Sequence, residues 1–341
     1  MNATTSNTMK RRILKVCIVT LITVGAGISQ GFAAKKDYLP PERVPEPENN
    51  KTTPERVELG KSLFFDPRLS GSNWISCGTC HNPALAWSDS LPTAIGVDMK
   101  VLGRSTPTIL NVAYNKHQFW DGRSGTLEHQ ATGPIQADGE MAQDMPSLTR
   151  ELVNIKGYLP LFEKAYPGEG ISEETIGKAI AAFERTVVSN YNTPFDRWLR
   201  GDESAISAAA KRGFELFDGK ARCNLCHMGH NFQDDGFHNI GLPNNTDDGR
   251  YAIKKVKVLK GAFKTPTLRN ITKTAPYMHN GVYSTLEDVI KHYDKGGIAK
   301  ANLSPTMKPL NLTASETQDL EQFLFTLDEE AKEFPLPVLP N

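Results

Sequence analysis

Cysteine and histidine recur at one fixed spacing in two places, Cys77-Gly78-Thr79-Cys80-His81 and Cys223-Asn224-Leu225-Cys226-His227. The pattern C-x-x-C-H is typical of covalent haem c attachment, in which both thiols form thioethers with the porphyrin and the adjacent histidine binds the iron. The sequence therefore predicts two covalently bound haem c groups. His81 is the expected ligand of the first iron, and His227 is an expected ligand of the second.

Two other chemistries use paired cysteines, and neither accounts for both motifs. A zinc site needs four ligands brought to one place and gives no reason for a histidine directly after each pair. A thioredoxin-like dithiol sits in a βαβ pattern, which surrounds neither motif. Haem attachment remains the favoured interpretation.

The N-terminus predicts export. Four basic residues precede a short apolar run at 16–28, and Gly31 and Ala33 supply small residues at −3 and −1 of a cleavage site. This is the pattern of a secretory signal peptide over residues 1–33, cleaved after Ala33, and it indicates the periplasm. A retained membrane anchor is the alternative, although the run is too short to span a bilayer comfortably, so no stable anchor is expected after cleavage. The 341 residues carry 39 basic and 39 acidic side chains, which gives no reason to expect a nucleic-acid partner.

The chain also repeats itself. Thr106-Pro107-Thr108 recurs as Thr265-Pro266-Thr267, and Thr126-Leu127-Glu128 recurs as Thr285-Leu286-Glu287, at a constant offset of 159 residues. Such self-similarity predicts two domains descended from one cytochrome. We expect an N-terminal arm at 34–57, a first haem domain at 58–200 and a second at 201–341.

Helices must position these motifs. An apolar face at 176–187 follows Ser172 as a plausible N-cap, and capping boxes begin at Thr313 and Ser284. No run of useful length alternates with period 2. The predicted fold class is all-α, with two duplicated c-type cytochrome domains that each wrap one haem in long loops.

The repeat predicts that the two irons differ. Tyr293 closes the apolar face of the helix after Ser284, and 159 residues earlier stands Pro134, which cannot bind iron. Gln130 lies on the matching face of the first helix, and Glu140 follows in the next loop. A carboxyl at that place could move a proton between the two oxygens of a peroxide, with Gln130 as a hydrogen-bonding helper. Taken alone, Tyr293 could also be core and Glu140 could be solvated surface.

Two other side chains compete with Tyr293 as second ligand of the second iron. Met307 stands in a Pro-rich loop of the kind from which cytochromes often draw a methionine. His292 is adjacent to Tyr293, so it points about 100° away on an ideal helix.

Several segments resemble the bacterial di-haem cytochrome c peroxidase family, among them Phe64-Phe65-Asp66-Pro67-Arg68 and Gln118-Phe119-Trp120-Asp121-Gly122-Arg123. The resemblance implies that the N-terminal haem reacts with hydrogen peroxide and the C-terminal haem transfers electrons. It implies that Trp120 lies between them and that Gln130 and Glu140 are distal catalytic residues. It also implies one calcium ion, held partly by the backbone carbonyls of Thr274 and Pro276. Arg104-Ser105 stands where the family often has an asparagine ligand.

Two departures resemble the MauG-like branch. The loop at 82–104 has no histidine, with Val97 where the family places a capping histidine, and Tyr293 replaces the usual methionine. The branch implies an open first haem and a His–Tyr second haem, which oxidise a periplasmic partner protein by long-range electron transfer. Its surface tryptophan relay is missing at 220–222, which leaves Trp198 and Trp87 as candidate relays. The alternatives are a cytochrome c peroxidase fed by a small cytochrome c or cupredoxin, and a non-catalytic di-haem electron carrier.

Overall fold

The computed structural model describes Met1 and residues 35–341, so the predicted signal peptide lies outside the described residues. Within this part of the chain no helix is long and apolar enough to cross a membrane.

Helices dominate the fold, as predicted, and the loops between them are long. The α-helices are α1 Pro54–Phe64, α2 Cys77–Cys80, α3 Leu127–Gln136, α4 Met145–Asn154, α5 Tyr158–Ala165, α6 Glu173–Glu184, α7 Pro194–Leu199, α8 Ala208–Asp218, α9 Arg250–Ile253, α10 Leu286–Asp294 and α11 Ala314–Phe325. The short strands β1 Phe237–His238 and β2 Phe263–Lys264 pair antiparallel, with Phe237 opposite Lys264.

The apolar side chains form two separate cores. The first joins α1, α3, α4, α5 and α6, and the second joins α7, α8, α10 and α11. The helix α7 packs in the second core, although the sequence predicts that the second domain begins only at residue 201. The domain boundaries remain a prediction. Phe334, near the C-terminus, returns to pack against the first core.

Each core is built on one close helix crossing. A Cβ added to Gly60 of α1 would lie 1.9 Å from the carbonyl oxygen of Ala179 on α6, and a Cβ added to Gly213 of α8 would lie 1.9 Å from that of Asp319 on α11. Only glycine allows backbones to approach so closely. The two crossings are equivalent, so α6 of the first repeat corresponds to α11 of the second.

The offset of 159 residues is also visible in the loops. Asn111 and Asn270 both adopt left-handed backbone at the start of a 3-10 turn. Phe119 and Met278 share positive φ values of 68° and 76°. Unrelated loops would not share such uncommon conformations at one constant spacing, so the repeat is structural.

The two repeats exchange equivalent hydrogen bonds. The Ser105 N–H donates to the His279 carbonyl over 2.7 Å, and the Lys264 N–H donates to the Trp120 carbonyl over 2.8 Å. Residue 105 corresponds to 264, and residue 120 corresponds to 279. The exchange therefore has pseudo-two-fold symmetry, with Trp120 and His279 beside its axis.

Local predictions met different outcomes. Ser172 and Thr313 are N-caps, as predicted; the capping box predicted at Thr313 is present, and Ser172 forms one as well. The capping box at Ser284 was wrong by one residue, because the Thr285 hydroxyl accepts from Asp288 N–H and the helix begins at Leu286. The segment before α1 is more than a surface arm, since Tyr38 is fully buried in the second core.

Candidate haem-binding sites

The first Cys-x-x-C-H motif opens onto a cavity in the first repeat. Cys77 begins α2, which Ser76 and Thr79 cap, and the helix presents Cys80 and His81 to the same space. Burial raises the pKa of both thiols, that of Cys80 to about 11. Neutral thiols in the wall of this cavity suit thioether formation.

The second motif opens onto a cavity in the second repeat. Cys223, Cys226 and His227 line it together with apolar side chains of α8, α10 and α11. The four cysteines of the two motifs are all unpaired, so no disulfide competes for them. Beside the second cavity, Cys226, Asp234 and His238 come within metal-binding distance of one another, but Asp234 and His238 already form an ion pair of 2.7 Å.

Both motif histidines are oriented alike. The Nδ1 of His81 lies 3.1 Å from the Trp87 carbonyl oxygen, and the Nδ1 of His227 lies 2.8 Å from that of Phe232. A carbonyl can only accept, so Nδ1 carries the proton and Nε2 keeps its lone pair for a metal. Burial also lowers the pKa of both rings, which favours the neutral ligand form. The residues present therefore fit one haem c in each cavity.

The first cavity gathers the polar residues that the repeat singled out. Gln130 of α3 and Glu140 in the turn after it both line this cavity, with Pro134 between them in sequence. The Glu140 carbonyl accepts a 2.9 Å hydrogen bond from Val97 N–H, which ties this turn to the loop without histidine. Burial raises the pKa of the Glu140 carboxyl, and the Arg123 guanidinium opposes that rise. Burial therefore makes the protonated form of this carboxyl more stable than it is in a fully exposed glutamate.

The second cavity brings together two of the competing ligands and leaves out the third. Tyr293 of α10 and Met307 both line it. His292 does not, since its Nε2 donates to the Ile240 carbonyl and its Nδ1 lies 2.9 Å from the Tyr283 hydroxyl. Burial raises the pKa of Tyr293, so its phenol stays protonated unless a cation replaces the proton.

Trp120 lies in the wall of both cavities. Its Nε1–H donates to the Ser105 carbonyl over 2.9 Å, which fixes the ring between the repeats. His279 lies 6.4 Å away between ring centroids and stacks on Phe263 at 3.5 Å. The sequence analysis did not single out His279, although this residue lies 159 positions after Trp120 and is therefore its equivalent in the second repeat. Lys264, also missed, lines both cavities as well.

The two residues predicted to bind calcium are absent from the walls of both cavities. Thr274 and Pro276 are half-buried, Pro276 follows a cis peptide bond with Ala275, and neither residue lines either of the two cavities. Arg104, where the family often has a calcium ligand, instead binds two carboxylates. Its guanidinium lies 2.7 Å from Asp121 of the first repeat and 2.7 Å from Asp247 of the second. This chain therefore already has a half-buried positive charge that bridges its two repeats.

The candidate relays differ in their surroundings. Trp87 packs in the first core. Trp198 is 6% exposed, its Nε1–H donates to Glu203, and the Lys35 ammonium lies 3.7 Å above its ring. A cation over an indole ring disfavours loss of an electron from it.

Comparison with known proteins agrees with the motifs and the repeat. Residues 54–204 match the di-haem cytochrome c peroxidase family, and residues 210–328 match cytochrome c. The chain is 49% identical to methylamine utilization protein MauG of Methylorubrum extorquens over 311 residues, which cover 90% of this chain and 88% of that protein. It is 42% identical to MauG of Methylophilus methylotrophus over 334 residues, which cover 97% and 99%.

A solved structure of a MauG-like protein associated with microbial copper homeostasis has the same fold. It superposes with a TM-score of 0.79 at 32% identity and covers 86% of this chain and 94% of its own. The duplicated c-type cytochrome fold and two haem c groups follow from these matches together with the two motifs. The chain belongs to the di-haem cytochrome c peroxidase family and is a MauG-like di-haem oxidoreductase.

Proposed function

We propose that this protein uses hydrogen peroxide at its first haem to oxidise a partner protein through its second haem. The observation that supports this proposal is that the two equivalent cavities are lined by different side chains. Gln130, Pro134 and Glu140 line the first, while Tyr293 lines the second at the position of Pro134.

At the first site, Cys77, Cys80 and His81 would hold a haem, and that haem would supply the iron that reacts with peroxide. Pro134 would offer no second ligand to that iron, and no histidine lies in the loop at 82–104, so peroxide could reach the iron. Glu140 accepts the proton of the nearer peroxide oxygen and returns it to the farther one, which leaves as water. Gln130 orients the peroxide by hydrogen bonding. A positioned carboxyl of this kind contributes about 10²–10⁴-fold to the rate.

At the second site, His227 and Tyr293, which line the same cavity, would both bind the haem iron. An anionic phenolate oxygen favours high oxidation states of iron, whereas a thioether sulfur favours Fe(II). A His–Tyr site therefore shares an oxidising equivalent well and accepts an electron from a small cytochrome poorly. Trp120, in the wall of both cavities, is the proposed route between the two sites.

The oxidising equivalent must then leave for the partner. Trp87 and Trp198 are the proposed candidate relays; at Trp198 the Glu203 carboxylate, which accepts from the Nε1–H, balances the Lys35 ammonium above the ring. The partner is a periplasmic protein substrate, and the periplasmic location depends on the predicted signal peptide. A calcium ion held by the Thr274 and Pro276 carbonyls completes the proposal, although the Arg104 bridge between Asp121 and Asp247 already joins the repeats.

The second candidate function is a cytochrome c peroxidase that reduces peroxide with electrons from a small cytochrome c or cupredoxin. It is favoured by Met307, which lines the second cavity together with Tyr293. A methionine ligand would raise the potential of that haem into the range of such donors.

The identity of the second ligand separates the two functions. We expect the ferric protein to lack the near-infrared methionine-to-iron band, and Met307→Leu to leave the spectrum unchanged. Tyr293→His should retain both haems by intact mass but lose the ability to keep a second oxidising equivalent after peroxide. A methionine band that disappears in Met307→Leu, with an unchanged spectrum in Tyr293→Phe, would establish the peroxidase instead.

The number of haems is tested separately. The intact mass of the mature protein should exceed that of the polypeptide by two haem groups. Replacing Cys77 and Cys80 together should remove one of them, and replacing Cys223 and Cys226 should remove the other. A full-length polypeptide that carries zinc and no haem would overturn the proposal at its base.

A further inference from the structure

The first cavity is lined by a buried carboxyl that the proposed mechanism does not use. Glu184, the last residue of α6, is 3% exposed. Its Oε2 has no hydrogen-bond partner among the described residues. An unpartnered carboxyl oxygen in the interior is costly and uncommon, so a specific role is the expected compensation.

The second repeat has an apolar residue at the position equivalent to Glu184. Phe183 and Phe323 each place their Cβ within 3.0 Å of the Cβ position at the glycine of their helix crossing. The next residues, Glu184 and Leu324, are therefore equivalent, and each lines the cavity of its own repeat. The same place beside a haem thus carries an apolar side chain in one repeat and a carboxyl in the other.

Within the described part of the chain Glu184 forms no ion pair, although the neighbouring Arg185 charge opposes the rise of its pKa. Arg185 is next in sequence, but its side chain leaves the helix about 100° away. It pairs instead with Glu128 of α3, over 2.6 Å. From α1, Lys61 lies over the Phe334 ring, and from α2 the nearby group is the Cys77 thiol, which becomes an uncharged thioether. Burial therefore dominates and raises the pKa of Glu184 to about 8.

We propose that Glu184 is a redox-linked proton site for the first haem. When the iron gives one electron to an oxidant, its positive charge rises by one, and the Glu184 carboxyl releases one proton to water. When the iron regains the electron, the carboxyl takes the proton back. The net charge of this buried site is then the same in both states, which avoids the cost of an uncompensated charge in the interior.

The sign of the effect follows from linkage. Oxidation favours the ionised carboxylate, so the first haem is easier to oxidise at high pH and its reduction potential falls as pH rises. One proton for each electron changes the redox equilibrium constant up to about tenfold per pH unit. The second haem has Leu324 at this position and gains no such dependence from it.

This inference requires only the haem held by Cys77 and Cys80 and does not depend on partner oxidation. The experiment is a spectroelectrochemical titration of the haem-loaded full chain, with redox mediators, at pH values on both sides of a pKa of about 8. In the natural protein the potential of the first haem should fall across this range. In Glu184→Gln the slope should be lost, whereas Glu184→Asp should retain it.

Two controls separate a proton site from a general disturbance. Leu324→Gln makes the matching change beside the second haem and should leave the slope of the first haem unaltered. Reduced-minus-oxidised infrared difference spectra should show a protonated carboxyl band that Glu184→Gln lacks. If Glu184→Gln loads poorly, Glu184→Leu copies the residue of the second repeat and should also have no slope. An unchanged slope in a haem-loaded Glu184→Gln or Glu184→Leu protein would overturn the proposal.

Discussion

The helix crossing at Gly213 offers a direct test of how the fold holds the second cavity. In Gly213→Ala the new Cβ would lie 1.9 Å from the Asp319 carbonyl oxygen, and Cβ atoms essentially never come closer than 3.0 Å to such neighbours. The helices α8 and α11 must therefore separate by about 1.1 Å (3.0 − 1.9). Their side chains Phe217, Leu320 and Leu324 line the second cavity, so the separation loosens its wall.

The expected cost can be estimated from two opposing effects. Overpacking a dense core costs about 1–3 kcal/mol, and a clash with backbone belongs at the upper end. Alanine in place of glycine inside a helix returns about 1 kcal/mol. The net destabilisation is then roughly 2 kcal/mol, which lowers the melting temperature by about 4–8 °C.

Thermal unfolding followed through both haem spectra measures this effect. Gly213→Ala should lower the melting temperature and change the spectrum of the second haem. Gly60→Ala should do the same for the first haem, because its Cβ would meet the Ala179 carbonyl oxygen at the same distance. Gly125→Ala is the matched control, since its Cβ would meet nothing within 4 Å. A Gly213→Ala protein that melts with the Gly125→Ala control would refute the argument.

Three further changes have defined outcomes. Glu140→Gln should slow the reaction with peroxide about 10²–10⁴-fold in stopped-flow spectra. Burial raises the pKa of Glu140 and the base form is the active one, so the rate of the natural protein should fall as the pH decreases. The variant should not show this pH dependence. Tyr293→Phe should raise the potential of the second haem in a redox titration, because an anionic ligand that favours Fe(III) is removed. Arg269→Met should cost about 3–5 kcal/mol in denaturant unfolding, because it leaves the Asp196 carboxylate buried without its partner.

The sequence was most informative where one short segment carries the whole signal. The haem motifs, the N-caps Ser172 and Thr313, and the helical class all follow from local patterns, and the structure agrees with them. The start of α10 was missed because Ser284 and Thr285 offer the same capping chemistry one residue apart.

Residues that act through distant partners were harder to find. The buried Tyr38 hydroxyl donates a hydrogen bond to Asp218, which lies 180 positions away in the sequence. No local sequence pattern predicts such a contact. Glu184 was missed because the offset of 159 does not hold at α6. The helices α4 and α5 belong to the first repeat alone, so Phe183 matches Phe323 at an offset of 140. Only the equivalent crossings at Gly60 and Gly213 establish that register.

The exchanged hydrogen bonds between the repeats, from Ser105 to His279 and from Lys264 to Trp120, have the geometry of an isologous interface, as in a symmetric homodimer. An ancestral single-haem protein that formed this contact with its own copy would have had to use one residue at each position on both sides. Fusion of the two copies removed that constraint. Trp120 could then differ from His279, and Glu184 from Leu324, and one gene product could divide two tasks between two formerly identical haems.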